Sequence, residues 1–113
     1  MRVAALYVAQ ATVVGGHVHQ RYDRRVAGRR MVNPGSVGMP YEGKPGAYWA
    51  LLGSLDEAGS AIEFRRTAYD LDETEHRYRE SGDPMTTEMI EILRQPPTPA
   101  EVIAHAESLA FSG

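Results

Sequence analysis

Polar and apolar positions divide the chain into two unlike stretches. Thr12-Val13-Val14, with Ala11 before it, is a β-branched run closed by Gly15-Gly16, which predicts a buried strand feeding a loop. Residues 3–9 read as the tail of a helix. Arg24-Arg25-Val26 and Arg29-Arg30-Met31-Val32 flank Ala27-Gly28, so a hairpin turning at Gly28 is expected. Asn33-Pro34-Gly35-Ser36 is a turn signal that stops the second strand. Residues 37–46 hold three glycines and two prolines and read as a loop.

Ala47-Tyr48-Trp49-Ala50-Leu51-Leu52 is nearly continuous in apolar character, as expected of a strand covered on both faces. Asp56-Glu57-Ala58-Gly59-Ser60 is a polar turn, after which Ile62 and Phe64 alternate with Glu63, Arg65 and Thr67. That alternation predicts a half-buried strand ending near Tyr69 and pairing with the one before it.

From Asp72 the period becomes helical. Asp72 with Glu75 has the form of a capping box, and Asp83-Pro84 sets a capping carboxylate before a first-turn proline. Met85, Met89, Ile92 and Leu93 mark one helical face. Thr98-Pro99-Ala100-Glu101 is the clearest helix start, and Val102, Ile103, Ala106, Leu109 and Ala110 form the stripe behind it. The expected class is α+β in a single domain over 1–113: a strand-rich part over 1–70 and a helical segment over 71–113, with short strands in 11–70 and helices in 72–111.

Composition sharpens this division. With 113 residues, 42% of them hydrophobic, the chain makes one small domain with a modest core. It has no cysteine, which excludes disulfides, thiolate metal sites and a cysteine nucleophile. No apolar run approaches a membrane span, and the first residues do not form a signal peptide, so no membrane association and a cytoplasmic location are expected. The net charge of −3 hides an asymmetry: residues 1–50 carry seven Lys/Arg against two Asp/Glu, and residues 51–113 carry five against thirteen. A basic first half attracts phosphate-bearing ligands, while the acidic total argues against a general nucleic-acid binder.

His17-Val18-His19 is the sharpest chemical feature. Residues two apart in extended or loop backbone point to one side, so two imidazoles can converge on a metal such as zinc, manganese, iron or nickel. Two ligands alone do not complete a site. His76 and His105 lie on polar faces of the acidic half and are expected in solvent; Tyr48 and Trp49 are expected in the core. Ser36 lies in no nucleophile elbow, and Lys44-Pro45 opens no phosphate-binding helix.

The order of these pieces carries more than any one of them. A β-branched strand ends in Gly16-His17-Val18-His19; a basic hairpin follows and ends in Asn33-Pro34-Gly35-Ser36-Val37-Gly38-Met39-Pro40; two further strands follow. The arrangement resembles the C-terminal part of the calcineurin-like metallophosphoesterases, in particular the small bacterial and archaeal phosphodiesterases, over residues 13–70. Val18 stands where that family has threonine.

The resemblance implies half of a two-sheet sandwich with α-helices around a centre of two divalent metals, Mn, Fe, Zn or Ni, that hydrolyses phosphoesters. His17 would bind one metal and His19 the other. Gly16, Asn33, Gly35 and Ser36 would support the wall of the site. Arg21, Arg24 or Arg25 would add positive potential for a phosphate, although none matches a family motif. The family's Asp-x-His, bridging Asp, Asn-His and further His blocks do not precede His17. The chain is therefore expected to be a truncated frame, a misplaced start or part of a longer protein. Alone it would be inactive, with weak or absent metal binding, and would need the missing N-terminal half or self-association to cover its strands. A non-catalytic oligomerising remnant is the alternative. A small phosphate- or RNA-binding protein using Tyr22, Tyr41 and Trp49 is a third reading, nucleic acid otherwise entering only as substrate.

Overall fold

The computed structural model describes residues 12–53 and 61–112, with side chains through Leu109. The helix tail expected in residues 3–9 and the polar turn at residues 56–60 lie outside the described residues. The order of elements is β1 (Thr12–Val14), β2 (Arg21–Val26), β3 (Arg29–Pro34), β4 (Ala47–Leu52), β5 (Ile62–Thr67), α1 (Leu71–Ser81), α2 (Thr86–Arg94) and α3 (Pro99–Ser112). Strands and helices together make an α+β fold of the expected class.

β3 is the organising strand. It pairs antiparallel with β2 across the Ala27-Gly28 turn and parallel with β1, giving the sheet order β1-β3-β2. Both turn residues have positive φ, 51° and 75°, the hand that matches the twist of a two-residue hairpin. With a neighbour on each edge, β3 buries Met31, Val32 and Asn33, residues that point alternately to opposite faces. Arg30 reaches across the hairpin to Asp23 with two hydrogen bonds, 2.9 and 2.8 Å. These bonds hold the Asp23 carboxyl below the usual carboxylate range.

β4 and β5 form a separate antiparallel pair. Tyr48 is buried, and its hydroxyl donates to the Lys44 carbonyl at 2.6 Å. Trp49 is half-buried, donates to Thr67 Oγ1 and lies under the Arg65 guanidinium. The expectation of cover on both faces fails at the far end of β4, where Leu51 and Leu52 are 42% and 38% exposed. β5 ends at Thr67, two residues short of the expected end.

The helices begin at signals adjacent to those expected. Asp70, not Asp72, caps α1: its side chain accepts from the Glu73 N–H at 3.0 Å. Asp72 sits inside the first turn, where it and Glu75 bind Arg94 of α2. The Asp83 carboxylate accepts from the Met85 N–H at 2.8 Å, which holds Pro84 and Met85 in a turn and delays α2 to Thr86. Ile90 and Leu93 are the buried residues of α2, whereas Met85 is 53% exposed. Thr98 caps α3 as expected, accepting from the Glu101 N–H at 3.1 Å. The apolar stripe of α3 stays largely in solvent: Val102 is half-buried, but Ile103 and Leu109 are 51% and 59% exposed. Among the described residues, no helix is long and apolar enough to cross a membrane.

Candidate metal centre

The topology brings the two motifs together. β1 ends beside Val32 of β3, and β2 begins opposite Pro34. The connecting loop, residues 15–20, must therefore arch over the C-terminal end of β3, where Asn33 lies. Asn33 is fully buried. Its amide Nδ2 donates to the Gly16 carbonyl at 3.0 Å, and its Oδ1 accepts from the Gly35 N–H at 2.9 Å. One side chain thus ties the histidine loop above it to the turn that follows it.

That turn is shaped by its own residues. Gly35 has φ 90°, and a β-carbon there would stand 3.1 Å from both Arg21 Cγ and Tyr48 Cβ, so the position needs glycine for conformation and for space. Ser36 Oγ accepts from the Met39 N–H at 2.9 Å, while its carbonyl accepts from the Tyr48 N–H. Tyr41 returns to the histidine loop, its N–H donating to the His19 carbonyl at 3.1 Å. The two rings lie 5.0 Å apart between centroids.

The backbone at the histidines is not extended. His17 has φ 77° and His19 φ 60°. The Val18 N–H donates to the Gly16 carbonyl at 2.9 Å, closing a γ-turn of the rarer, strained hand around His17. A left-handed conformation at a residue with a β-carbon costs roughly 1–3 kcal/mol. Glycine would remove that cost, yet Gly15 and Gly16 beside them do not use the left-handed region. His17 is exposed and His19 half-buried. His19 Nδ1 is buried without a hydrogen-bond partner, a state that a bound metal ion would relieve and a purely structural histidine would leave unfavourable.

The donor set stops there. Among the described residues, no group of three or more His, Cys, Asp or Glu side chains could hold a metal ion. The three candidate phosphate arginines are placed on β2. The Arg21 guanidinium lies 4.8 Å from the Tyr48 ring centre and 3.7 Å from Glu42, whose other oxygen accepts from the Arg21 N–H. Arg24 packs over Tyr22. Arg25 stands opposite Arg30 in the ladder. His76 pairs in solvent with Glu80, and His105 is exposed. Glu42 is a contributor the sequence did not single out, and Tyr41 was singled out only as a nucleic-acid contact; both sit in a loop whose glycines and prolines carry no periodic signal.

Residues 1–56 match the calcineurin-like phosphoesterase superfamily domain. A metallophosphoesterase from Sphaerobacter thermophilus superposes with a TM-score of 0.60 at 27% identity, over 81% of this chain and 46% of that one. A hypothetical protein from Pyrococcus horikoshii OT3 superposes with a TM-score of 0.62 at 25% identity, over 78% of this chain and 33% of that one. No curated protein matches the chain. The chain belongs to the calcineurin-like phosphoesterase superfamily and spans less than half the length of either solved structure.

Proposed function

We propose that this chain is the C-terminal part of a metal-dependent phosphoesterase, in which His17 and His19 each hold one of two divalent metal ions. The observation that carries this reading is a loop with left-handed backbone at both histidines, tied through the Gly16 carbonyl to a buried asparagine, with His19 Nδ1 buried and left without a partner. Bound metals of this kind clamp phosphoryl oxygens and activate water at neutral pH. The chain's own contribution is positional. Asn33 fixes the loop through Gly16, Tyr41 packs on the His19 ring, and Gly35 and Ser36 shape the adjoining wall. Strand-rich residues 1–70 form the metal-site part and residues 71–113 a helical segment of the same domain.

Two imidazoles are short of the three or more ligands a catalytic ion takes, so the chain by itself binds metal weakly and does not turn over phosphoesters. Manganese titration followed by NMR tests this directly. The expected result is selective broadening of the His17 and His19 ring signals, abolished in His19→Asn, a residue that tolerates the left-handed backbone. Broadening confined to the acidic helices would overturn the proposal. A non-catalytic associating module is the second reading, favoured by the exposed Leu51, Leu52, Ile103 and Leu109. It predicts a stable oligomer whose histidine signals manganese leaves sharp.

A further inference from the structure

Tyr41 touches the histidine loop twice: its N–H donates to the His19 carbonyl at 3.1 Å, and its ring lies 5.0 Å from the imidazole between centroids. That spacing is one of attractive aromatic contact. On its other side Tyr41 borders an open depression of about 260 Å³ whose apolar walls are Ile92, Pro97 and Val102. Packing alone therefore leaves the ring apolar room away from His19. The far end of the ring is held by its hydroxyl, which donates to Met39 Sδ at 3.2 Å. Met39 is itself fixed: its N–H donates to Ser36 Oγ at 2.9 Å, and Pro40 after it is fully buried. The proline ring locks φ, so the link from Met39 to Tyr41 has little freedom.

We infer that Met39 is a positioning residue for the His19 imidazole and that it acts through Tyr41. The thioether anchors the phenol, and the anchored ring sets the plane in which His19 presents its nitrogens. The inference rests on the metal reading above. His19 Nδ1 is buried without a hydrogen-bond partner, so no bond at that nitrogen steers the imidazole, and the Tyr41 ring is what lies against it. A thioether is a weak acceptor, yet it supplies what an aliphatic side chain of the same bulk cannot. When fewer molecules hold the binding orientation, apparent affinity falls in the same proportion.

The test uses the full chain with Met39→Leu, which keeps the bulk and removes the acceptor, with Tyr41→Phe, which keeps the ring and removes the donor, and with both. Contact between the ring of residue 41 and the His19 ring is read by NMR without metal, and manganese is then titrated until the His19 ring signals broaden. Either substitution is expected to weaken the ring contact and to raise the manganese required about threefold, the worth of one weak hydrogen bond. The combined variant is expected to lose no more than either alone, because both remove the same bond. Met39→Gln returns an acceptor at similar reach and is expected to restore both readings with Tyr41 in place but not beside Tyr41→Phe, a dependence that mere space-filling would not produce. Full ring contact and unchanged manganese demand in Met39→Leu overturn the positioning role alone. Losses that add in the combined variant, or Met39→Gln that restores neither reading, also overturn it. Manganese that leaves His19 sharp in the unaltered chain overturns the metal reading and this inference with it.

Discussion

The strand-rich and helical parts of this chain are both amphipathic by sequence, yet they bury their apolar residues to different degrees. In the first, β3 has a strand on each side, and three consecutive residues are buried. In the second, α1 has no buried residue, α2 buries Ile90 and Leu93, and α3 keeps most of its stripe in solvent. What joins α1 to α2 includes charge: Arg94 binds Asp72 at 2.6 Å and Glu75 at 3.1 Å. An apolar stripe is a capacity for burial, and a partner surface is needed to use it. The first part holds much of its partner surface within itself, whereas the second does not.

Three substitutions probe that contrast, in falling order of expected effect. Asn33→Ala leaves the Gly16 carbonyl and the Gly35 N–H without their buried partner, at a cost of about 3–4 kcal/mol. It should lower the urea midpoint at unchanged slope. A loss below about 1 kcal/mol would show that the loop and the turn do not depend on each other. In the helical part, Leu93→Ala should cost about 2 kcal/mol, the low end for a core leucine because the site can relax. Leu109→Ala should stay within about 0.5 kcal/mol, as for a surface residue. Equal losses at the two positions, measured by the same titration, would erase the distinction between used and unused apolar positions.

The smallest effect concerns pH. Asp23 titrates below its ordinary range because of Arg30. Its contribution to stability is therefore fully present above the unfolded carboxylate value of about 3.9 and lost as pH falls through the lowered folded value. Asp23→Asn should lower stability in the neutral region and flatten the acid limb of the stability curve, read by thermal unfolding. An unaltered acid limb would show that the hairpin does not draw on this pair.

Much of the fold could be read from the sequence because it is governed by local chemistry. The hairpin at Ala27-Gly28, the apolar strand at Ala47–Leu52 and the Thr98 cap each rest on residues adjacent in the chain. The errors arose where two residues competed for one role. Asp70 precedes α1 and Asp72 lies in its first turn, and only the backbone decides which carboxylate reaches the Glu73 N–H. Asp83 does bind a backbone N–H, but of Met85 in a turn rather than in the first turn of a helix. The site was legible as a histidine pair and an Asn-Pro-Gly-Ser turn. Their connection through Asn33 and Gly16 follows from the parallel placement of β1 beside β3, a long-range fact without a local signature. The contact of Tyr41 with His19 lacked a local signature for the same reason.

That parallel placement has a consequence for the order in which the molecule is made. β2 and β3 meet through a two-residue turn, while β1 must find β3 across the whole hairpin, a longer closure that comes later and opens sooner. The imidazole loop is strung between the early partner and the late one. Whatever ion or ester grips that loop therefore draws part of its affinity from seating β1, and in return fastens the least secure seam of the sheet.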